Sequence, residues 1–169
     1  ESSIGPSGWY CDARTYEPDA PARISVRVEG FRYLGDGKFS WDVVWKADQP
    51  APRDLTVFTH FYSPTAQRRD KIAFQDDHKP SPAPTQWAGT VRYTRTVTVP
   101  EDAEGEYQVG IGLYDDAGRL RMSGLEVPQV GGNALWLGTL TVRREGVKIA
   151  DISFKAAPEE KPKVERANP

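Results

Sequence analysis

The stretch from Val91 to Met122, VRYTRTVTVPEDAEGEYQVGIGLYDDAGRLRM, restricts the fold more than any other part of the chain. Tyr93, Val97 and Val99 alternate with Arg92, Thr94, Thr96 and Thr98, the period of two that marks a half-buried strand. Tyr107, Val109, Ile111 and Leu113 repeat it, with Gln108, Gly110 and Gly112 between them. Pro100 cannot donate to a ladder and Gly105 tolerates a sharp bend, so the chain turns between the two runs. Strand, corner, strand, tight turn and strand is the order that results.

The same period recurs upstream. Ile24, Val26 and Val28 alternate with Ser25, Arg27 and Glu29 in a strand predicted over Arg23 to Leu34. Gly35-Asp36-Gly37 supplies a hairpin turn. Lys38 to Ala47 places Phe39, Trp41, Val43 and Trp45 on one face, which predicts a core face. Leu55 to Tyr62 is bulky on both faces, so this strand is either central and covered or carries a functional aromatic surface. Lys71 to Phe74 reads as a short edge strand, Ala134 to Arg144 as the closing strand, and Val147 to Phe154 as a final strand or a linker. No long helical pattern and no internal repeat is present.

Seven to nine strands at these spacings predict an all-β chain, an immunoglobulin-like Greek-key β-sandwich, with a jelly roll as the alternative wiring. Asp102, Gly105 and Tyr107, with Val109 two residues on, fit a tyrosine corner, in which the phenol bonds back to upstream backbone. Val109 stands where an antibody domain has a cysteine, so the sandwich is expected to hold by packing. Residues 1–21, with Trp9, Tyr10 and the single Cys11, read as a lead-in loop; residues 22–154 read as the sandwich and 155–169 as a linker or disordered tail.

Composition excludes several classes. Among 169 residues the net charge is −2, with no basic field for nucleic acid. No apolar run approaches the roughly 20 residues of a membrane-spanning helix. One cysteine makes no intrachain disulfide and no cysteine-rich zinc site. His60 and His78 lack a local partner motif for nucleophilic or metal chemistry, so the chain reads as no enzyme and as needing no cofactor. Asp115 and Asp116 read as turn residues that cap backbone amides.

The unusual connection is QDDHKPSPAPTQWAG, from Gln75 to Gly89, stiffened by Pro80, Pro82 and Pro84 and ended by Trp87. A rigid aromatic beside acidic and amide neighbours suits stacking on a sugar ring, with hydroxyl partners alongside. The candidate ligand residues are therefore Trp87, Asp76, Asp77 and Gln86, with His60 and Tyr62, or Trp9 and Tyr10, as a second platform. The competing expectation makes Trp87 a plug on the end of the sandwich. Asp76 and Asp77 also offer oxygens to a calcium ion, although the spacing lacks the alternate-residue ligands of a calcium loop. Trp41, Trp45 and Trp136 are expected in the core.

Asp76-Asp77-His78, Pro84-Thr85-Gln86-Trp87, Val99-Pro100, Gly105-Glu106-Tyr107, Gly112-Leu113-Tyr114-Asp115 and Gly118-Arg119 together form a wider pattern. In it the chain resembles the β-sandwich accessory domains that bacteria append to envelope proteins, including some membrane glycosyltransferases and secreted carbohydrate-active enzymes. The resemblance implies a non-catalytic, extracytoplasmic module and carries over no catalytic residue. The expected function is glycan binding. The alternative is a structural or protein-interaction domain that orients neighbouring domains or subunits. Exposure of Trp87, Tyr62 and Trp9 separates the two.

Overall fold

Alternating side chains and turn residues resolve into two antiparallel sheets packed face to face. The computed structural model describes residues 21–63 and 71–159. Within them lie nine strands: β1 (Ile24–Gly35), β2 (Lys38–Ala47), β3 (Thr56–Tyr62), β4 (Ile72–Gln75), β5 (Gly89–Thr98), β6 (Gly105–Asp115), β7 (Gly118–Arg119), β8 (Leu135–Glu145) and β9 (Lys148–Ala156). The smaller sheet has the order β1-β2-β5, and the larger β9-β8-β6-β3-β4, with the short β7 paired to β6. The chain changes sheets between β2 and β3, between β4 and β5, and between β5 and β6. That Greek-key wiring is immunoglobulin-like and not that of a jelly roll.

The inward faces are the ones the alternation marks. Phe39, Trp41, Val43 and Trp45 of β2 are at most 2% exposed and face Val57 and Phe61 of β3 and Val109, Ile111 and Leu113 of β6 across the interior. Trp41 stacks on Phe61 with centroids 6.2 Å apart, and Phe61 stacks on Phe74 at 4.3 Å. These offset rings bury large apolar area from both sheets at once. Val109 is fully buried, as a packed replacement for a cysteine must be. The tyrosine corner is present: the Glu104 amide donates to Tyr107 Oη at 3.0 Å.

Two expectations change. The strand from Leu135 to Glu145 does not close the sandwich, because β9 folds back beside it from Lys148 and stays paired to Ala156, with one register irregularity between Ile149 and Asp151. Trp136 is not in the central core. It lies half-buried on the outer face of the larger sheet, with Nε1 donating to Gln108 Oε1 at 2.8 Å. The reason is the register of β8, where Leu135 and Leu137 take the inward positions on either side of it.

Antiparallel pairing also fixes which loops share an end. The β1–β2 hairpin, the Pro100–Gly105 corner and the β8–β9 hairpin gather at one pole, joined by the Val99 amide on Gly37 O (2.9 Å) and by Arg144 on Glu101 O and Val147 O. The Gln75–Gly89 connection, the β6–β7 turn and the 120–134 loop gather at the other. Because β9 returns the chain, residues 22 and 158 both lie at this second pole. Ala22 bonds to Arg121 O, Ala157 bonds to Leu137 O, and Ser25, Ser123 and Pro158 line one groove.

Candidate functional site

Strand β3 presents Val57, Thr59 and Phe61 inward and Phe58, His60 and Tyr62 outward, and all six are buried. Burial of the outward set begins with the neighbouring strand. Gly112 and Gly110 of β6 stand directly across from Phe58 and His60. A Cβ on Gly112 would meet the Phe58 ring at 2.5 Å and the carbonyl oxygen of Asn133 at 2.9 Å; one on Gly110 would meet Val127 at 2.8 Å and Tyr62 at 3.1 Å. Two missing side chains therefore let the rings of β3 lie across β6. The 120–134 loop closes over them, the Val127 amide bonding to Ala134 O at 3.0 Å and the Trp136 amide to Leu125 O at 2.8 Å. Phe58, Tyr62, Val127 and Ala134 form a second, smaller apolar cluster. The strand with two bulky faces is central and covered.

At the rim of this cluster is a hollow of about 290 Å³ with Phe58, His60, Asp77, Tyr114 and Arg119 in its walls. Asp77 is brought there by a bridge between Val57 and His78, whose amides exchange bonds of 2.8 and 2.9 Å with the opposing carbonyls. Tyr114 Oη donates to Asp77 Oδ2 at 3.3 Å. Asp77 Oδ1 is buried with no hydrogen-bond partner among the described residues, and His60 Nε2 is 3.9 Å from it. The Arg119 guanidinium lies 4.2 Å from the centre of the Phe58 ring, held there by a 2.7 Å bond from Nη1 to Gly132 O. Asp115 is tied to Arg53 by two hydrogen bonds and accepts the Ala117 amide at 2.9 Å, which is the turn-capping role expected of it.

Burial lowers the His60 pKa below its ordinary 6.5, opposed by the Asp77 charge and assisted by Arg119. The imidazole is neutral at pH 7. Burial likewise raises the Tyr62 phenol, so it remains protonated. The hollow thus offers a carboxylate, a guanidinium laid over the Phe58 ring and the partly exposed ring of Tyr114 beside a neutral imidazole. These are groups for recognition.

The candidate ligand residues do not all meet here. His60, Tyr62 and Asp77 converge on the outer face of the larger sheet, although Tyr62 is spent in the apolar cluster. Trp87 is fully buried: it packs on Trp45 with centroids 5.0 Å apart and donates from Nε1 to Pro82 O at 2.9 Å. It is the plug, with no face left for a sugar. The rigid turn at Pro84–Gln86 aims the indole inward and leaves Gln86 exposed without an aromatic beside it. Asp76 is engaged at both oxygens by Arg95, at 2.6 and 2.9 Å, so the two carboxylates form no calcium pair. Among the described residues no group of three His, Cys, Asp or Glu could hold a metal. Trp9, Tyr10 and Cys11 lie outside the described residues.

His78 does different work. Trp45 Nε1 donates to Tyr93 Oη at 3.0 Å, Tyr93 Oη lies 2.7 Å from His78 Nε2, and His78 Nδ1 lies 3.1 Å from Asp76 O. The phenol proton then goes to Nε2 and the imidazole donates from Nδ1. The chain of bonds fastens the Gln75–Gly89 connection to the smaller sheet.

Phe58, Tyr114 and Arg119 were not among the candidate ligand residues read from the sequence. Their signal was present in Gly110 and Gly112, spaced on the face of β6 that looks away from the core, opposite a strand with bulky outward residues. No family model, curated protein or solved structure matches this chain.

Proposed function

We propose that the chain is a non-catalytic accessory module that positions a neighbouring domain or subunit. Its bacterial, extracytoplasmic setting is part of the proposal and rests on the resemblance. The observation that carries the reading is the pole farthest from residues 22 and 158. There Leu34 (50% exposed) and Val147 (88% exposed) project from two adjacent hairpins. Tyr33 Oη bonds to Ile149 O at 3.4 Å and Arg144 braces Val147 O and Glu101 O, so the hairpins are held together. Apolar tips on a braced support suit contact with another surface. Trp87 and Tyr62, which a glycan platform needed, are committed to packing.

A photo-cross-linking residue placed at Leu34 or Val147 in the intact protein tests this. Cross-links should form to one defined neighbouring domain or subunit. They should be absent from Arg92, which lies in the Glu29–Arg92–Asp42 charge network on the outer face of the smaller sheet. Equal labelling at all three positions, or none at the hairpins, would overturn the reading.

A further inference from the structure

We propose that the hollow between β3, β6 and the Gln75–Gly89 connection binds a neutral polyhydroxylic ligand, a single sugar unit carrying adjacent hydroxyl groups. The inference is independent of the hairpin pole and extends beyond a positioning role.

Asp77 Oδ1 is the first argument. A carboxylate oxygen removed from water with no donor costs stability, and Asp77 borders a hollow open to solution although Oδ1 itself is closed to water. It needs a donor, and His60 Nε2 at 3.9 Å is beyond hydrogen-bond reach. Tyr114 Oη already serves the other oxygen and fixes the carboxylate's orientation. An incoming hydroxyl is a compact donor, and a small turn of the carboxylate brings Oδ1 to the wall of the hollow where it can accept.

Charge selects the class. Arg53 neutralises Asp115, His60 is uncharged, and Asp77 and Arg119 carry opposite signs. An anion would meet Asp77, and a cation would meet Arg119, which already occupies the face of Phe58. A neutral ligand with both donors and acceptors meets neither penalty. One hydroxyl donates to Asp77 Oδ1 while a second accepts from the guanidinium, whose planar fork leaves N–H groups beyond the Gly132 bond. The Tyr114 ring is partly exposed and gives the C–H face of a pyranose an apolar partner.

Size sets the limit. A hollow of about 290 Å³ lies at the lower edge of the roughly 300–1,000 Å³ typical of small-molecule sites, which suits one sugar unit and not an extended chain. The rival occupant is a buried water satisfying Asp77 alone.

The test titrates methyl β-glucoside, methyl β-galactoside and methyl α-mannoside separately into the ¹⁵N-labelled full chain at millimolar concentration. Inorganic phosphate and methylammonium serve as the charged probes. At least one glycoside should produce saturable amide shifts confined to Phe58, His60, Asp77 and Gly118–Arg119. Asp77→Asn and Arg119→Lys should each weaken it by about tenfold or more, the effect of losing a charged hydrogen bond. Tyr114→Phe keeps the ring and reads the same carboxylate if Asp77→Asn fails to fold. No saturable shift with any glycoside would mean that water satisfies Asp77 and would overturn the proposal. So would shifts unchanged in these variants, or tighter binding of phosphate or methylammonium in the hollow. Loss of hairpin cross-links leaves this result untouched, because the two features lie at different poles.

Discussion

At the scale of single residues, the deciding question is where each polar atom of a large side chain finds its partner. Tyr107 was legible in the sequence as a corner residue because Asp102, Gly105 and Tyr107, with Val109 two residues on, fit a tyrosine corner. The phenol accepts the Glu104 amide. Glu104 is exposed, so its amide regains water when the phenol is lost, and the cost falls at the low end for a hydrogen bond. Tyr107→Phe should lower the unfolding free energy by about 1 kcal/mol, read from denaturant midpoints at unchanged slope. A midpoint within error of the parent would mean that the corner bond adds nothing. Trp87 was less legible. A proline-rich segment stiffens an aromatic equally well for outward display or inward plugging. The choice was made by the ring of Trp45, on a strand remote in sequence, with the carbonyl of Pro82 within the segment taking the indole N–H.

At the scale of elements, β1, β2, β3, β5 and β6 were readable within a residue or two of their bounds, since each is a run of bulky or alternating apolar residues bounded by turn-forming residues in the sequence. The end of the sandwich was not. The alternation of Val147 and Ile149 slips before Ile152, and the structure places a register irregularity between Ile149 and Asp151. One extra residue there reverses the apparent face of the strand, which left β9 readable either as a final strand or as a linker. The site was legible only in part for a similar reason. His60 and Asp77 are adjacent through the Val57–His78 bridge, a pairing with no sequence signature. Gly112 offers the element-scale test. Gly112→Ala puts a methyl group against the Phe58 ring and the Asn133 carbonyl, and the backbone oxygen cannot swing aside. The substitution should destabilise the protein by about 1–3 kcal/mol, as overpacking does. It should also shift the Phe58 and Asn133 resonances while leaving the opposite pole unchanged. Wild-type stability would show that β3 and β6 are free to separate.

At the scale of the whole molecule, the two histidines make stability depend on pH. Burial lowers both His60 and His78 below 6.5 in the folded state. Above that value both are neutral, folded or unfolded, and their full contribution is present. As pH falls below it the unfolded chain takes up protons that the folded chain refuses, so stability declines until the lower folded pKa is passed. Urea midpoints measured from about pH 8 down to about pH 5 should fall below pH 6.5, and His60→Gln or His78→Gln should remove part of that slope. A flat profile would mean that both rings protonate without opening their surroundings. The order of strands has a mechanical consequence as well. A sandwich whose ends leave from opposite poles carries tension in shear, with many ladder bonds strained together. Here β9 brings residue 158 back to the pole that holds residue 22. Tension between those points would draw two edge strands away, β9 from β8 starting at Ala156 and β1 from β2 starting at Ile24, parting their bonds in succession as a zipper opens, while the corner at the far pole carries almost none of the load.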